Sequence, residues 1–305
     1  MIIYDIIIVG AGSAGLSAAI YASRAKLKTL LLEKNRCGGH LLIIDLLENY
    51  PGFYKGISGF DFAIKLEMQA KEFGTEIIYD DVLCIENKLN VKKVITANSI
   101  YESRTVVIAT GTSLKKTNVL GESKFIGRGV SFCAVCDAPF YKNKDVLVIG
   151  GGDSAVQESI HISKFANSVT IICKNDKLKA IKVLQDRMLI HKNISVIYNA
   201  IPKEFYGKEL LEKVTIMDVN TQQKKDLKIN GVFIFIGLIP NTHFISNLIT
   251  NEFGYILTDE NMNTSVSGFF ACGDVRKKQL KQVVTAVSDG VQAAVSAQNY
   301  IEENI

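Results

Sequence analysis

The chain has 305 residues, 48% of them hydrophobic and 22% charged, with four prolines and no tryptophan. This is a globular composition, long enough for two domains with a sizeable core, and it excludes a disordered or linker-rich protein. The formal net charge of +4, from 35 basic and 31 acidic side chains, is too small to point to nucleic acid, although it favours acidic protein partners.

The first residues, Met1-Ile2-Ile3-Tyr4-Asp5, carry no cationic region and run straight into a strand. That start predicts no signal peptide and a cytoplasmic protein. No apolar run reaches the roughly 18 residues of a membrane span. Ile6-Ile7-Ile8-Val9 reads as a buried strand, Leu16 to Ala22 as a helix, and Thr29-Leu30-Leu31-Leu32 as a second strand. Between the first strand and the helix stands Gly10-Ala11-Gly12-Ser13-Ala14-Gly15. Gly10 permits a tight turn, Gly12 lets backbone amides approach a pyrophosphate, and Gly15 lets helix and strand pack closely. Ala14 belongs to the same turn, at the helix N-terminus whose dipole favours an anion. Glu33 closes the second strand, where it is placed to accept hydrogen bonds from an adenosine ribose. The alternative is a glycine-rich turn in an α/β fold that holds no ligand.

The pattern recurs. Val146-Leu147-Val148-Ile149 reads as a strand, Val156 to Phe165 as a helix, and Val169-Thr170-Ile171-Ile172 as the next strand. Between the first two lies Gly150-Gly151-Gly152-Asp153-Ser154-Ala155, a G-x-G-x-x-A turn. The fold class is therefore α/β, with two Rossmann-like, three-layer nucleotide-binding domains. The second is inserted into the first: 1–113 and 243–305 form one domain, 114–242 the other. The polar stretch Thr112 to Lys116 is one expected crossing, and Gly237 to Thr242 the return.

Six cysteines stand at 37, 84, 133, 136, 173 and 272, and only Cys133-Ala134-Val135-Cys136-Asp137 has the C-x-x-C spacing. Such a dithiol can store two electrons as a disulfide, because thiolates attack and exchange through mixed disulfides. The alternatives are half a zinc site, which wants a second close pair that this chain lacks, or two buried thiols. No metal site is expected. Asp137 is either an acid that moves protons for the thiols or a helix cap.

The end of the strand after the second glycine turn decides its ligand. NAD sites want Asp or Glu there, and NADP sites want Arg nearby. This chain reads Cys173-Lys174-Asn175-Asp176-Lys177-Leu178-Lys179. Lysines keep positive charge without the rigid fork of arginine, so the second domain is expected to keep the fold and bind NADPH weakly.

Further stretches carry a family resemblance: Gly38-Gly39-His40, Glu48-Asn49-Tyr50-Pro51-Gly52-Phe53, Ala109-Thr110-Gly111, Gly273-Asp274, Lys281-Gln282-Val283-Val284-Thr285-Ala286 and Asp289-Gly290. With the two glycine turns and the C-x-x-C, they resemble the low-molecular-weight thioredoxin reductases over essentially the whole chain. The resemblance implies FAD on the first domain, with Gly39, Asn49, Ala109, Thr110 and Gly111 among its contacts. It places Asp274 on the flavin ribityl chain and Gln282 and Val283 near the pyrimidine ring. It implies a Cys133–Cys136 redox disulfide, with Cys136 toward the flavin, Cys133 toward the partner and Asp137 as proton relay. It further implies thioredoxin as partner, a homodimer, and domain rotation about the two crossings.

Three departures stand out. His40 replaces a usual Gln, which leaves it open between a flavin contact and a loop histidine. Asp137-Ala138-Pro139 replaces Asp-Gly. The family's His-Arg-Arg, with a further Arg, is absent from 173–179. In that last respect the chain resembles the ferredoxin-dependent flavin thioredoxin reductases, so reduced ferredoxin is the expected electron donor. The rival readings are an NADPH-dependent reductase with an atypical phosphate pocket, a reductase of another dithiol protein such as a peroxiredoxin system, and a non-catalytic flavin redox sensor.

Overall fold

The computed structural model describes residues 2–44, 46–88, 91–246 and 248–304, with Val135 and Cys136 described by backbone alone. The chain forms two compact units, Met1–Ser113 with Ile239–Ile305, and Leu114–Leu238. The return falls earlier than the expected break after Thr242. Hydrogen bonds explain the difference: Asn241 N donates to Gly111 O at 3.1 Å, and Thr110 Oγ1 donates to Asn241 O at 2.7 Å. These bonds tie Asn241 to the first unit.

In the first unit the central strand Ile3–Val9 pairs in parallel with Thr29–Glu33 on one side and Ile100–Ile108 on the other. Glu76–Tyr79 extends the parallel sheet beyond Thr29–Glu33. The strand Ile100–Ile108 serves two partners along one edge. Its second half pairs in parallel with Phe269–Ala271, while its first half pairs antiparallel with Lys92–Thr96, which in turn pairs with Val82–Asn87.

Side chains alternate across the sheet. Ile6 and Ile8 pack with Leu16, Ala18, Phe62 and Ala294 from the helices Ser13–Arg24, Gly59–Glu72 and Val283–Asn304. Ile7 and Val9 face the other way, against Val94, Ile256 and Phe269. Both faces are covered, so the strand has to be apolar throughout, which is why four consecutive apolar residues mark it in the sequence. Truncating a fully buried side chain here, such as Leu31 to alanine, costs about 2–5 kcal/mol.

The second unit has a five-stranded parallel sheet in the order Ile194–Ile197, Ser168–Ile172, Asp145–Ile149, Gly231–Ile234, Val130–Ser131. Val146 and Val148 pack against Ala155, Val156 and Ile162 of the helix Asp153–Ile162. Leu147 and Ile149 face Phe205, Val214 and Ile216 of a three-stranded antiparallel sheet, Ala200–Tyr206, Lys213–Asp218 and Lys224–Lys228. Both units are thus α/β with parallel central sheets, as expected for Rossmann-like folds. Among the described residues, no helix is long and apolar enough to cross a membrane.

Candidate active site

The first glycine turn joins the strand Ile3–Val9 to the helix Ser13–Arg24. Its glycines do different jobs. Gly10 has φ +100°, and a Cβ there would lie 2.6 Å from Ala109 O. A Cβ on Gly15 would lie 1.8 Å from Gly10 O, so strand and helix meet backbone to backbone. Gly12 has an ordinary φ of −73°, and a Cβ there would meet nothing within 4 Å. Fold geometry therefore demands Gly10 and Gly15 but not Gly12. The space over Gly12 adjoins the helix N-terminus, whose first N–H groups have no intrahelical partner. It is shaped for an anion.

Glu33 ends its strand beside this space. One carboxylate oxygen accepts from Ala11 N at 2.8 Å and the other from Asn35 N at 3.1 Å. A carboxylate has about four acceptor sites, so these bonds aim the group and leave sites for a ribose. Gly39 lies against the turn, its Cβ position 3.3 Å from Gly12 Cα. His40 is exposed in the short 3₁₀ helix Gly39–Ile43. Ala109 is buried, and Thr110 and Gly111 are half-buried beside Gly10.

The same unit carries a second turn at Gly273 and Asp274. Gly273 has φ +76°, with its Cβ position 2.8 Å from Ala14 Cβ, so this turn packs on the glycine-rich helix. Asp274 Oδ1 is buried and has no hydrogen-bond partner. Lys281 Nζ donates to Asp274 O at 3.1 Å and stands 3.3 Å from the centroid of the Tyr255 ring. Burial drives its ammonium down to about 8. Gln282 precedes the helix that begins at Val283, and Asn49 Nδ2 donates to Gln282 Oε1 at 2.9 Å. The structure thus brings Asn49 to Gln282, and Ala14 to Gly273, across long stretches of sequence.

In the second unit Cys133 is disulfide-bonded, whereas Cys37, Cys84, Cys173 and Cys272 are free thiols. The Cys136 side chain lies outside the described residues. Ser131 Oγ accepts from Cys133 N at 3.0 Å, and Cys133 O accepts from Asp137 N at 3.2 Å, closing the turn Ala134–Asp137. Asp137 is half-buried, and its side chain makes no helix-cap bond, so the capping alternative fails. Pro139 sits in the first turn of the 3₁₀ helix Ala138–Tyr141, where a missing N–H costs nothing. The proline that departs from Asp-Gly is therefore built in without strain.

The second glycine turn repeats the first. Gly150 has φ +146°, and its Cβ position lies 2.2 Å from Phe235 O, while a Cβ on Gly152 would meet nothing within 4 Å. Cys173 is buried where the strand Ser168–Ile172 ends, its Sγ donating to Lys177 O at 3.5 Å. Lys174, Lys177 and Lys179 are exposed. Lys179 N and Ala180 N both donate to Gly151 O, at 2.6 and 3.1 Å, so this segment folds back onto the turn.

The sequence pattern of the pyridine nucleotide-disulphide oxidoreductase family matches residues 4–290. A thioredoxin reductase of Treponema pallidum is 46% identical over 299 residues, 98% of this chain and 97% of that protein. The chain belongs to the low-molecular-weight thioredoxin reductases. It is a flavin-dependent disulfide oxidoreductase. The crystal structure of Lactococcus lactis thioredoxin reductase superposes with a TM-score of 0.96 at 41% identity, covering 98% of this chain and 99% of that one. A ferredoxin-flavin thioredoxin reductase from Clostridium acetobutylicum is 28% identical with a TM-score of 0.55, covering 99% of each chain.

The residues present fit a flavin dinucleotide. The open space at Gly12 suits a pyrophosphate, and the orphaned Asp274 Oδ1 is an acceptor that a ribityl hydroxyl would satisfy. Two features escape a reading of the sequence. Phe140 is 73% exposed close to the disulfide segment, hidden in a stretch that draws notice only for its proline. Arg276, Lys278 and Asp289 are interior, although charged residues ordinarily read as a solvated face.

Proposed function

We propose that the chain reduces the disulfide of thioredoxin, with FAD on the first unit and a Cys133–Cys136 redox pair on the second. The observation that carries this reading is that Cys133 is disulfide-bonded while all four cysteines outside the C-x-x-C segment are free. Gly10, Gly12, Ala14, Gly15 and Glu33 are assigned to the adenosine and pyrophosphate end of the cofactor. Asp274, Gln282 and Val283 are assigned to its ribityl and ring end. Between them Gly39, His40, Asn49 and Ala109 to Gly111 line the path.

FAD bound there would, once reduced by the electron donor, supply the two electrons that open the disulfide. The Cys133 thiolate attacks one sulfur of the partner's disulfide, forming a mixed disulfide and releasing the other sulfur as a thiolate. Cys136 then attacks Cys133 Sγ. The bond to the partner breaks, the Cys133–Cys136 bond re-forms, and the partner leaves carrying two electrons and two protons. Asp137, unspent on capping, is the group assigned to hand protons to and from the thiols. Phe140, exposed in the 3₁₀ helix that follows the disulfide turn, offers an apolar contact for the partner. The family resemblance supports a homodimer, which light scattering of the purified protein tests.

Reduced ferredoxin is the proposed electron donor. Residues 173–179 present neither an arginine fork for a 2′-phosphate nor a carboxylate at Cys173 for a ribose. A second reading, NADPH in a lysine-lined pocket, is favoured by the intact turn: Gly150 keeps its positive φ and Gly152 keeps its open space. Anaerobic mixing of the yellow protein with NADPH, NADH and reduced ferredoxin, followed by visible spectroscopy, decides between them. Rapid bleaching at micromolar NADPH removes the ferredoxin reading. A protein that is colourless and takes up no FAD, or a Cys133→Ser variant that still reduces thioredoxin, overturns the function itself.

A further inference from the structure

Behind the Gly273-Asp274 turn, charged side chains share one interior network. Asp289, 7% exposed, sits on the helix Val283–Asn304. Its carboxylate accepts from Gly273 N at 3.1 Å, Arg276 Nε at 2.9 Å, Arg276 Nη2 at 3.1 Å and Lys278 Nζ at 2.9 Å. Three of these bonds fall on Oδ2 and one on Oδ1, so both carboxylate oxygens are held.

The Lys278 side chain is 8% exposed. An ammonium has three N–H donors. One goes to Asp289 and a second to Thr285 Oγ1 at 3.2 Å. On its remaining side lies Asp274 Oδ1 at 3.6 Å, close enough to attract and too far to form a hydrogen bond. Two anchors therefore fix the ammonium where it faces Asp274 without occupying its oxygen. Asp274 Oδ1 stays buried and lacks a hydrogen-bond partner. A buried acceptor left in that state is costly, and a cation already stands beside it. The donor that best completes the site is an uncharged hydroxyl.

We propose that Lys278 is a positioning residue for the flavin cofactor: held by Asp289 and Thr285, it keeps the Asp274 carboxylate oriented as an open acceptor for a cofactor hydroxyl. This rests on the FAD reading above. Arg276 completes the frame by locking Asp289 from the other side, and its Nη1 donates to Thr258 Oγ1 at 2.9 Å.

The test is FAD release from the diluted holoprotein, followed by the rise in flavin fluorescence, in a double-mutant cycle. Lys278→Gln is expected to release FAD about tenfold faster or more, the equivalent of one charge-assisted hydrogen bond. Lys278→Arg, which keeps the charge, recovers most of the loss. Asp274→Asn also speeds release, and adding Lys278→Gln to it has little further effect, because Lys278 acts through Asp274. Should Lys278→Gln fail to fold by circular dichroism, Lys278→Met keeps the buried stem and carries the same comparison. Equal acceleration by Lys278→Gln with and without Asp274, or a Lys278→Arg variant as fast as Lys278→Gln, overturns the proposal while leaving the FAD reading intact. A colourless wild-type protein that refuses FAD overturns the FAD reading, and the proposal with it.

Discussion

Gly12 and Gly15 stand three residues apart in one turn, and the structure separates their roles sharply enough to test. Gly12 has a φ open to any residue and clear space at its Cβ position. Replacing it with alanine removes unfolded-state entropy worth about 0.4–1 kcal/mol and replaces a tolerated N-cap residue with a poor one, at about 0.5–1 kcal/mol. The two terms nearly cancel, so urea unfolding of the Gly12→Ala polypeptide freed of cofactor is expected within about 0.5 kcal/mol of wild type. Gly15→Ala differs, because its methyl would lie 1.8 Å from the Gly10 carbonyl oxygen. Both sides are backbone, so nothing flexible can yield, and the overpacking cost is about 3 kcal/mol or more. FAD binding reverses part of the order. A methyl on Gly12 pushes a pyrophosphate away from the helix N–H groups, and losing one charge-assisted bond of about 1.5–3 kcal/mol weakens binding about ten- to hundredfold. Flavin absorbance relative to protein absorbance, with release kinetics, reads this directly. A Gly12→Ala protein that keeps FAD as tightly as wild type would refute the assignment of that space to the pyrophosphate.

Cys136→Ser is expected to remain yellow and to lose thioredoxin reduction entirely; turnover that persists in this variant, measured as thiol release, removes the redox pair, and a wild type without turnover on any thiol acceptor leaves only the sensor reading. Thiol labelling of the native oxidised protein is expected to modify exposed Cys84 quickly. Cys37, whose thiol burial pushes up to about 11, and Cys272, pushed higher still by burial, stay protected, as mass spectrometry of the labelled peptides will show. Lys281 carries a pH signature: with its ammonium driven down to about 8 from 10.5 in the fold, the unfolded chain binds more protons across that window. Wild type therefore gains stability over Lys281→Met as pH rises from about 8 to about 10.5 and shows no such gain below it; a flat difference in denaturant midpoints across the window contradicts the burial argument.

The α/β class was legible because both central strands are covered on both faces. Ile6 to Val9 and Val146 to Ile149 have to be apolar at every position, and a glycine turn follows each. The expected helices at 16–22 and 156–165 are the observed Ser13–Arg24 and Asp153–Ile162, shifted because apolar periodicity marks the packed turns of a helix and not its ends. The antiparallel strands were harder to see. Lys92–Thr96 and Val82–Asn87 mix charged and apolar residues, a pattern that becomes sheet only because Lys92–Thr96 pairs with Ile100–Ile108 and Val82–Asn87 pairs in turn with Lys92–Thr96. Lys278 was invisible for a different reason. Nothing in Arg276-Lys277-Lys278 distinguishes the buried lysine from its neighbour, and burial comes from Asp289 on a distant helix turn.

The two glycine turns differ in the residue that ends the strand beside them. Gly10 N donates to Leu32 O at 2.8 Å, and Gly150 N donates to Ile172 O at 3.1 Å. The registers match, so Cys173 occupies the place of Glu33, and Gly151 that of Ala11. In the first unit the Ala11 and Asn35 amides aim the Glu33 carboxylate. In the second the buried thiol sits 2.5 Å from the Cβ position of Gly151 and turns to Lys177 O. By the same register Gly151 and Asn175 correspond in sequence to Ala11 and Asn35, whose amides are those two donors. Cys173→Glu therefore supplies a carboxylate to a site already equipped to aim it, and NADH is the nucleotide that gains. One bond from each ribose hydroxyl to an aimed carboxylate is worth about 1.5–3 kcal/mol, so the rate of flavin bleaching by low concentrations of NADH is expected to rise about tenfold or more. Bleaching by NADPH falls in the same variant, since a carboxylate repels the 2′-phosphate. If stopped-flow traces show neither change in a folded variant, the two turns are alike in backbone only, and the inserted unit has no nucleotide to select.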